Sequence, residues 1–269
     1  VRIARFVHSS GISWGTVEGS PGADAQSLTV AAIEGHPFGQ IQFTGERWAL
    51  PDVRLLSPVL PSKVIAVGKN YAAHAAEMAD ANTSATPPEN PLIFMKPSTS
   101  VIGTGDLVRL PADSDRIDFE GELAVVIGRP AKDVPADRAF SVVLGYTCAN
   151  DVTARDLQKA DGQWTRAKGY DSFCPLGPWI QTVLDPSDLH LTTSVNGVFK
   201  QDGRTSDLIH SIPSLIEYIT RVMTLLPGDV ILTGTPAGVG PIVHGDTVTV
   251  EIEGIGALTN PVRNREGSA

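Results

Sequence analysis

Cysteine is nearly absent: Cys148 and Cys174 are the 2 in 269 residues, too few for a disulfide framework. Neither has a His at ligand spacing, which excludes a thiolate zinc site. Both read as small buried hydrophobes. Basic charge is also scarce, with Lys+Arg 21 against Asp+Glu 30 and a net charge of -9. Without a Lys/Arg block, a phosphate-backbone partner is excluded and nucleic acid drops out. No apolar run approaches the about 18 residues of a membrane span, and the stretch from Val1 to Ser10 holds Arg2 and Arg5 but no apolar signal core. The expectation is a soluble, cytoplasmic protein with no membrane partner.

Gly 26 and Pro 20 together make roughly a sixth of the chain against a usual ~12%. Turns are therefore frequent and a long-helix bundle is excluded. The 42% of apolar residues suffices for a buried core.

Up to about residue 58 short apolar runs alternate with Gly, Ser and Asp: Val1 to Phe6, Ile12 to Trp14, Leu28 to Val30 and Ile41 to Phe43, a pattern of short strands and turns. Leu55 to Pro61 is apolar but carries Pro58 and Pro61, which suit neither a central strand nor a helix interior. A domain junction is placed there, with a small β-rich unit over 1–58 and a larger one over 59–269. Beyond it, Val- and Ile-rich runs predict strands at Lys63 to Val67, Leu92 to Met95, Glu122 to Ile127, Val142 to Ala149, Trp179 to Val183, Val230 to Thr233 and Thr247 to Ile252. Ile212, Leu215, Ile216, Ile219, Val222 and Met223 recur at helical steps, with Pro213 in the first turn and Pro227-Gly228 past the end. A second, short helix is expected from Tyr71 to Met78. The fold class is β-rich α+β with a few short helices.

The chemistry concentrates in Asp118-Phe119-Glu120-Gly121-Glu122 leading into the run Leu123 to Ile127. Side chains two apart on a strand share a face, so Glu120 and Glu122 would be neighbours. Like charges held together raise a pKa or demand a cation, and oxygen ligands without His or Cys suit Mg²⁺ or Mn²⁺. Asp151, after the run Val142 to Ala149, could be delivered to the same place by an adjacent strand. A solvated acidic strand edge is the alternative. His74 and Glu77 share a helix face at i,i+3, where a carboxylate can orient an imidazole for acid–base work; a surface pair is the alternative. The polar segment from Ala79 to Asn90 would make that helix a lid able to shut out water. Arg155, Gln158, Arg166 and Lys168 follow Asp151; a cation among them could neutralise an anionic substrate, or each could be a surface group. The Gly-rich turn from Thr233 to Gly240 permits close backbone approach to a ligand but lacks the Lys-Ser/Thr of a P-loop, leaving a structural turn equally open.

Taken in order, Gly68-Lys69-Asn70-Tyr71 before His74 and Glu77, Phe94-Met95-Lys96-Pro97-Ser98, the Glu120/Glu122 pair, Asn150 to Asp156, Lys168 before Phe173 to Pro178, Val195-Asn196-Gly197 and Leu232 to Pro236 resemble the fumarylacetoacetate hydrolase family over about residues 59–262. The resemblance implies a mixed β-roll and a homodimer. It implies Glu120, Glu122 and Asp151 as ligands of Mg²⁺ or Mn²⁺, with Ca²⁺ a possible substitute. By the same resemblance Lys168 and Gln158 would contact substrate or metal-bound oxygens, Thr235 and the Gly234 backbone would line the substrate pocket, and His74 with Glu77 would form a lid dyad. The implied activity is cleavage of a C–C bond in a small 2-oxo acid or dicarboxylate through an enolate held on the metal, as acylpyruvate hydrolysis or oxaloacetate-type decarboxylation. Isomerisation of a 2-hydroxyhepta-2,4-diene-1,7-dioate-type dienol is the alternative. A non-catalytic keto-acid-binding module is the reading of another class.

Overall fold

Runs of Val, Ile and Ala bounded by Gly, Pro and Asp can bury both faces of a strand, and these runs become the centre of the fold. The computed structural model describes residues 1–20, 24–79 and 86–265. Its N-terminal part is a meander of β1 (Arg2–His8), β2 (Gly11–Glu18), β3 (Thr29–Ile33) and β4 (Phe43–Ala49), with the short β5 (Arg54–Leu56). Next come β6 (Val64–Gly68), α1 (Ala72–Glu77), β7 (Leu92–Lys96), β8 (Val101–Ile102), β9 (Val108–Leu110), β10 (Ile117–Phe119), β11 (Gly121–Ile127), β12 (Val143–Asn150) and β13 (Thr153–Ala154). The chain continues through α2 (Arg155–Asp161), α3 (Thr165–Gly169), β14 (Cys174–Gln181), β15 (His190–Val195), β16 (Val198–Arg204) and α4 (Ile212–Val222). It ends with β17 (Val230–Leu232), β18 (Gly240–Pro241), β19 (Thr247–Ile252) and β20 (Gly256–Asn264).

A 12-stranded sheet runs β4-β3-β2-β1-β14-β12-β11-β17-β6-β7, with β5 on β1 and β8 on β14. The N-terminal meander has its own small core, including Phe6, Val30 and Leu50, yet joins the large sheet through the β1–β14 pairing. A 5-stranded sheet, β16-β15-β19-β20-β9, and a 3-stranded one, β13-β10-β18, complete the architecture. The β17–β6 pairing is parallel and its neighbours are antiparallel, so the large sheet is mixed.

Alternation along β11 fixes two cores. Leu123, Val125 and Ile127 pack with α4 residues Leu215, Ile216 and Ile219 and with Leu191, Val250 and Leu258 of the second sheet. Ala124 and Val126 face the other way, with Val64, Leu176 and Leu232. Burying a side chain of Leu or Ile size contributes about 1.5–3 kcal/mol, so the first core anchors both sheets and α4. Ser211 caps α4 by accepting from Ser214 N–H, with Pro213 in its first turn. Cys148 and Cys174 are free thiols buried in the two cores. No helix among the described residues is long and apolar enough to cross a membrane.

Candidate active site

Glu122 sits second in β11, on the face that continues with Ala124 and Val126, as a period of two requires. Glu120 is not in that strand. It occupies the break between β10 and β11, where its N–H donates to Asn150 Oδ1 at 2.9 Å and its carbonyl accepts from Asp151 N–H at 2.8 Å. Antiparallel pairing puts Gly121 opposite Asn150, so the end of β12 delivers Asp151 to the start of β11. Ligand oxygens of Glu120, Glu122 and Asp151 all lie within 4.8 Å of one another, and all three residues are buried. Gly121 is what lets the second sheet close over this turn. A Cβ there would meet Thr193 Oγ1 at 2.0 Å, and its N–H donates to the buried Gln201 Oε1 at 2.9 Å.

Among the described residues three cations contact Glu120 or Asp151, and a fourth stands behind them on the neighbouring Asp118. Lys168 Nζ bridges Glu120 Oε2 at 2.8 Å and Asp151 Oδ2 at 2.6 Å. Lys96, fully buried at the end of β7, donates to Asp151 Oδ1 and to the Val152 carbonyl. Arg155 reaches Glu120 and Asp118, and Arg116 also holds Asp118. Burial pushes the Glu120 carboxyl up, but Lys168 and Arg155 outweigh it and hold the group well below the usual carboxylate range. Glu122 goes the other way. Burial raises it first and the nearby Asp151 and Glu120 charges raise it further, against the Lys168 charge and the Gly234 N–H that donates to Oε2 at 2.7 Å. Burial would lower Lys168, but Asp151 and Glu120 raise it and keep the ammonium charged.

The site opens into a cavity of about 300 Å³ whose wall includes the three acids, His74, Gln158, Lys168 and Thr235. His74 is buried; Nδ1 lies 3.4 Å from Glu77 Oε2. Burial lowers its pKa below 6.5, with Glu120 and Glu77 opposing, so the imidazole is neutral at pH 7. Glu77 is outside the cavity wall and accepts the Gly238 N–H on both oxygens at 3.1 Å, tying α1 to the Gly-rich turn. Gln158 Oε1 accepts from Arg155 at 2.8 Å. Gly234 does not line the cavity: its N–H is spent on Glu122. Thr235 does line it, with its hydroxyl engaged by the Gly121 carbonyl and Gln201. The expected lid segment, 79–90, falls partly on residues 80–85, which lie outside the described residues.

Sequence reading gave no role to Lys96, Gln201 or Asn70. Lys96 had a visible signal, a lysine closing the apolar run Leu92 to Met95 before a proline. Asn70 side-chain bonds to the His210 and Thr233 carbonyls, at 3.0 and 2.7 Å, come from partners more than a hundred residues away and left no local trace.

The donor set is three carboxylates with no nitrogen or sulfur among them, which fits a hard divalent cation of the Mg²⁺ or Mn²⁺ type. The like-charge crowding that raises Glu122 is relieved by such a cation.

A mixed β-fold closing three buried acids around one cavity agrees with the comparison to known proteins. Residues 63–263 match the family described as fumarylacetoacetate (FAA) hydrolase C-terminal, and residues 1–58 match Rv2993c-like, N-terminal. The chain belongs to the fumarylacetoacetate hydrolase family. It is 56% identical over 265 residues to Protein Rv2993c of Mycobacterium tuberculosis, covering 97% of this chain and 98% of that one. To the oxaloacetate tautomerase YisK of Bacillus subtilis it is 42% identical over 228 residues, 80% of this chain and 75% of that one. Among solved structures, a 5-carboxymethyl-2-hydroxymuconate delta-isomerase from Mycobacterium smegmatis matches with TM-score 0.90 and 56% identity, over 98% and 100% of the two chains. The maleylpyruvate hydrolase from Sphingobium sp. SYK-6, in complex with manganese(II) and pyruvate, matches with TM-score 0.78 and 32% identity over 99% and 100%.

Proposed function

We propose that the protein is a divalent-metal-dependent enzyme that moves a proton on a small 2-oxo acid, interconverting keto and enol forms in the manner of a tautomerase or isomerase. The observation that carries this reading is a buried His74 in the wall of the same cavity as the three acids. A base must be uncharged to accept a proton, and burial keeps His74 in that form at neutral pH. With Nδ1 directed at Glu77, Nε2 is the nitrogen that takes the proton from C3 of the substrate. Electrons left at C3 move into the C2 carbonyl, and the negative charge collects on O2, facing the Lys168 ammonium. The proton returns to O2 to give the enol, or to another carbon of a conjugated substrate to shift a double bond. A Mg²⁺ or Mn²⁺ held by Glu120, Glu122 and Asp151 would supply Lewis-acid stabilisation of that charge. Relatives named oxaloacetate tautomerase and a structural neighbour named isomerase support this choice.

C–C cleavage, the first expectation from sequence, is the second reading. It is favoured by the His74–Glu77 contact, since a carboxylate behind an imidazole suits it to activate water. One experiment separates them. The enzyme with Mg²⁺ or Mn²⁺ is given enol oxaloacetate and acetylpyruvate, and enol absorbance and pyruvate release are followed with and without chelator. Loss of enol absorbance without pyruvate supports proton transfer, pyruvate from acetylpyruvate supports cleavage, and chelator-insensitive turnover removes the metal from either.

A further inference from the structure

Strand β16 buries one of its 7 residues, and that residue is Gln201. A buried amide does not serve to fill an apolar core, so its hydrogen-bond partners decide what it is for. Oε1 accepts the Gly121 N–H at 2.9 Å, while Nε2 donates to the Pro236 carbonyl at 2.8 Å and to Thr235 Oγ1 at 2.7 Å. A backbone N–H only donates and a carbonyl only accepts, so these partners fix which end of the amide is oxygen. Because Thr235 Oγ1 accepts from Gln201, its own proton goes to the Gly121 carbonyl at 2.8 Å. One side chain thus holds the N–H and, through Thr235, the C=O of the glycine between Glu120 and Glu122.

The Gly-rich turn lies on the same stretch of β16. The β15–β16 register shifts between Thr193 and Ser194, which leaves Lys200 without a β15 partner just before Gln201. A Cβ on Gly238 would collide with the Lys200 carbonyl oxygen, and one on Gly203 would stand 2.6 Å from Pro236 Cβ. Glycines on both partners therefore let the turn close onto the strand at Gln201. The other end of the turn reaches the base: Gly238 N–H donates to Glu77, whose Oε2 lies 3.4 Å from His74 Nδ1. Gln201 is outside the cavity wall, so it acts on the reaction through the groups that it holds.

Resting on the proton-transfer reading above, we infer that Gln201 is a positioning residue for that reaction. It sets the turn Glu120-Gly121-Glu122 in register with the Gly-rich turn and, through Glu77, sets His74 in register with the three acids. A misplacement of about 1 Å between reacting groups costs about 10²-fold in rate. Loss of such a register shows in kcat and spares contacts that bind ligand in the ground state.

Kinetics on enol oxaloacetate at saturating Mg²⁺, beside isothermal titration with oxalate, test it. Oxalate counts the intact sites, so kcat is expressed per oxalate-binding site and unfolded protein drops out. Q201M keeps the side-chain length and removes both polar ends; it should lower kcat per site about 10²-fold while KM and the oxalate Kd stay within about threefold. G203A perturbs the same register independently, since its methyl presses on Pro236 and leaves the Gln201 amide in place. It should lower kcat per site by about fivefold or more, with oxalate Kd again unchanged, and it decides alone if Q201M does not fold. Parental kcat per site in either folded variant, or a fall matched by an equal rise in KM or oxalate Kd, would overturn the positioning role and leave the proton-transfer reading standing. A parent that does not convert the enol would overturn that reading and this inference with it.

Discussion

Replacing Lys168 by Met tests how the buried charges are balanced. Among the described residues Lys168 Nζ is the one cation in ion-pair contact with both Glu120 and Asp151, at 2.8 and 2.6 Å, and its side chain is about as buried as theirs. Removing one partner of a buried ion pair leaves uncompensated charge and costs about 3–5 kcal/mol. At about 2–4 °C per kcal/mol for a chain of this size, the metal-free midpoint should fall by about 6–20 °C. A cation among the same acids offsets that charge, so Mg²⁺ should recover part of the loss. Ligand at 100 times its Kd stabilises by about 2.7 kcal/mol, and the gain should be larger in K168M than in the parent, because the variant presents one more unbalanced negative charge. Differential scanning calorimetry with chelator and with saturating Mg²⁺ gives both numbers. A K168M protein whose midpoint rises with Mg²⁺ no more than the parent's would refute the reasoning, since the metal would then not be sensing these acids.

Three further outcomes follow from the geometry. Glu122 holds its proton to a pH above the usual carboxylate range because of burial and its acidic neighbours; a metal must displace that proton, so Mg²⁺ affinity should rise with pH above about 4.5 and then level off. Titrations at several pH values in buffers of different ionisation enthalpy check this, and flat affinity without proton release would contradict it. His74 should be needed as a neutral base: H74A should lose about 10²–10⁴ in kcat. Because burial lowers its pKa, the acid fall-off of the parent's rate should lie below pH 6.5, whereas a midpoint above that value would count against His74. Gly121→Ala drives a methyl toward Thr193 Oγ1, Gln201 and Val250, so it should cost about 1–3 kcal/mol in overpacking and weaken metal binding; a variant of parental stability and affinity would show that the turn tolerates a side chain.

Much of this was legible locally. Val/Ile content placed β11, β12 and β19, and helical spacing with its proline placed α4 nearly to the residue. Asp151 was found because it ends one apolar run while Glu122 begins another, and antiparallel neighbours bring such ends together. What was lost depended on distance along the chain. Helix α2 has no sequence signal because Arg155 to Asp161 shows no sustained apolar period; its first side chain, Arg155, is directed by Asp118 of β10 and by Glu120 in the break that follows. Strand β14 begins at Cys174, ahead of the expected Trp179, because partners β12 and β8, not propensity, carry the Pro-bearing segment. Gly234 was read as a pocket residue, but its turn is oriented by Glu122, which no local pattern records.

The central claim is that Glu120, Glu122 and Asp151 together hold one divalent cation that faces a chelated 2-oxo acid. Anomalous diffraction from crystals grown with Mn²⁺ and oxalate measures it most directly. The account predicts one strong peak at about 2.1 Å from an oxygen of each of the three carboxylates, with oxalate bound on its cavity side. A peak elsewhere, or none at this trio while oxalate occupies the cavity, would contradict it.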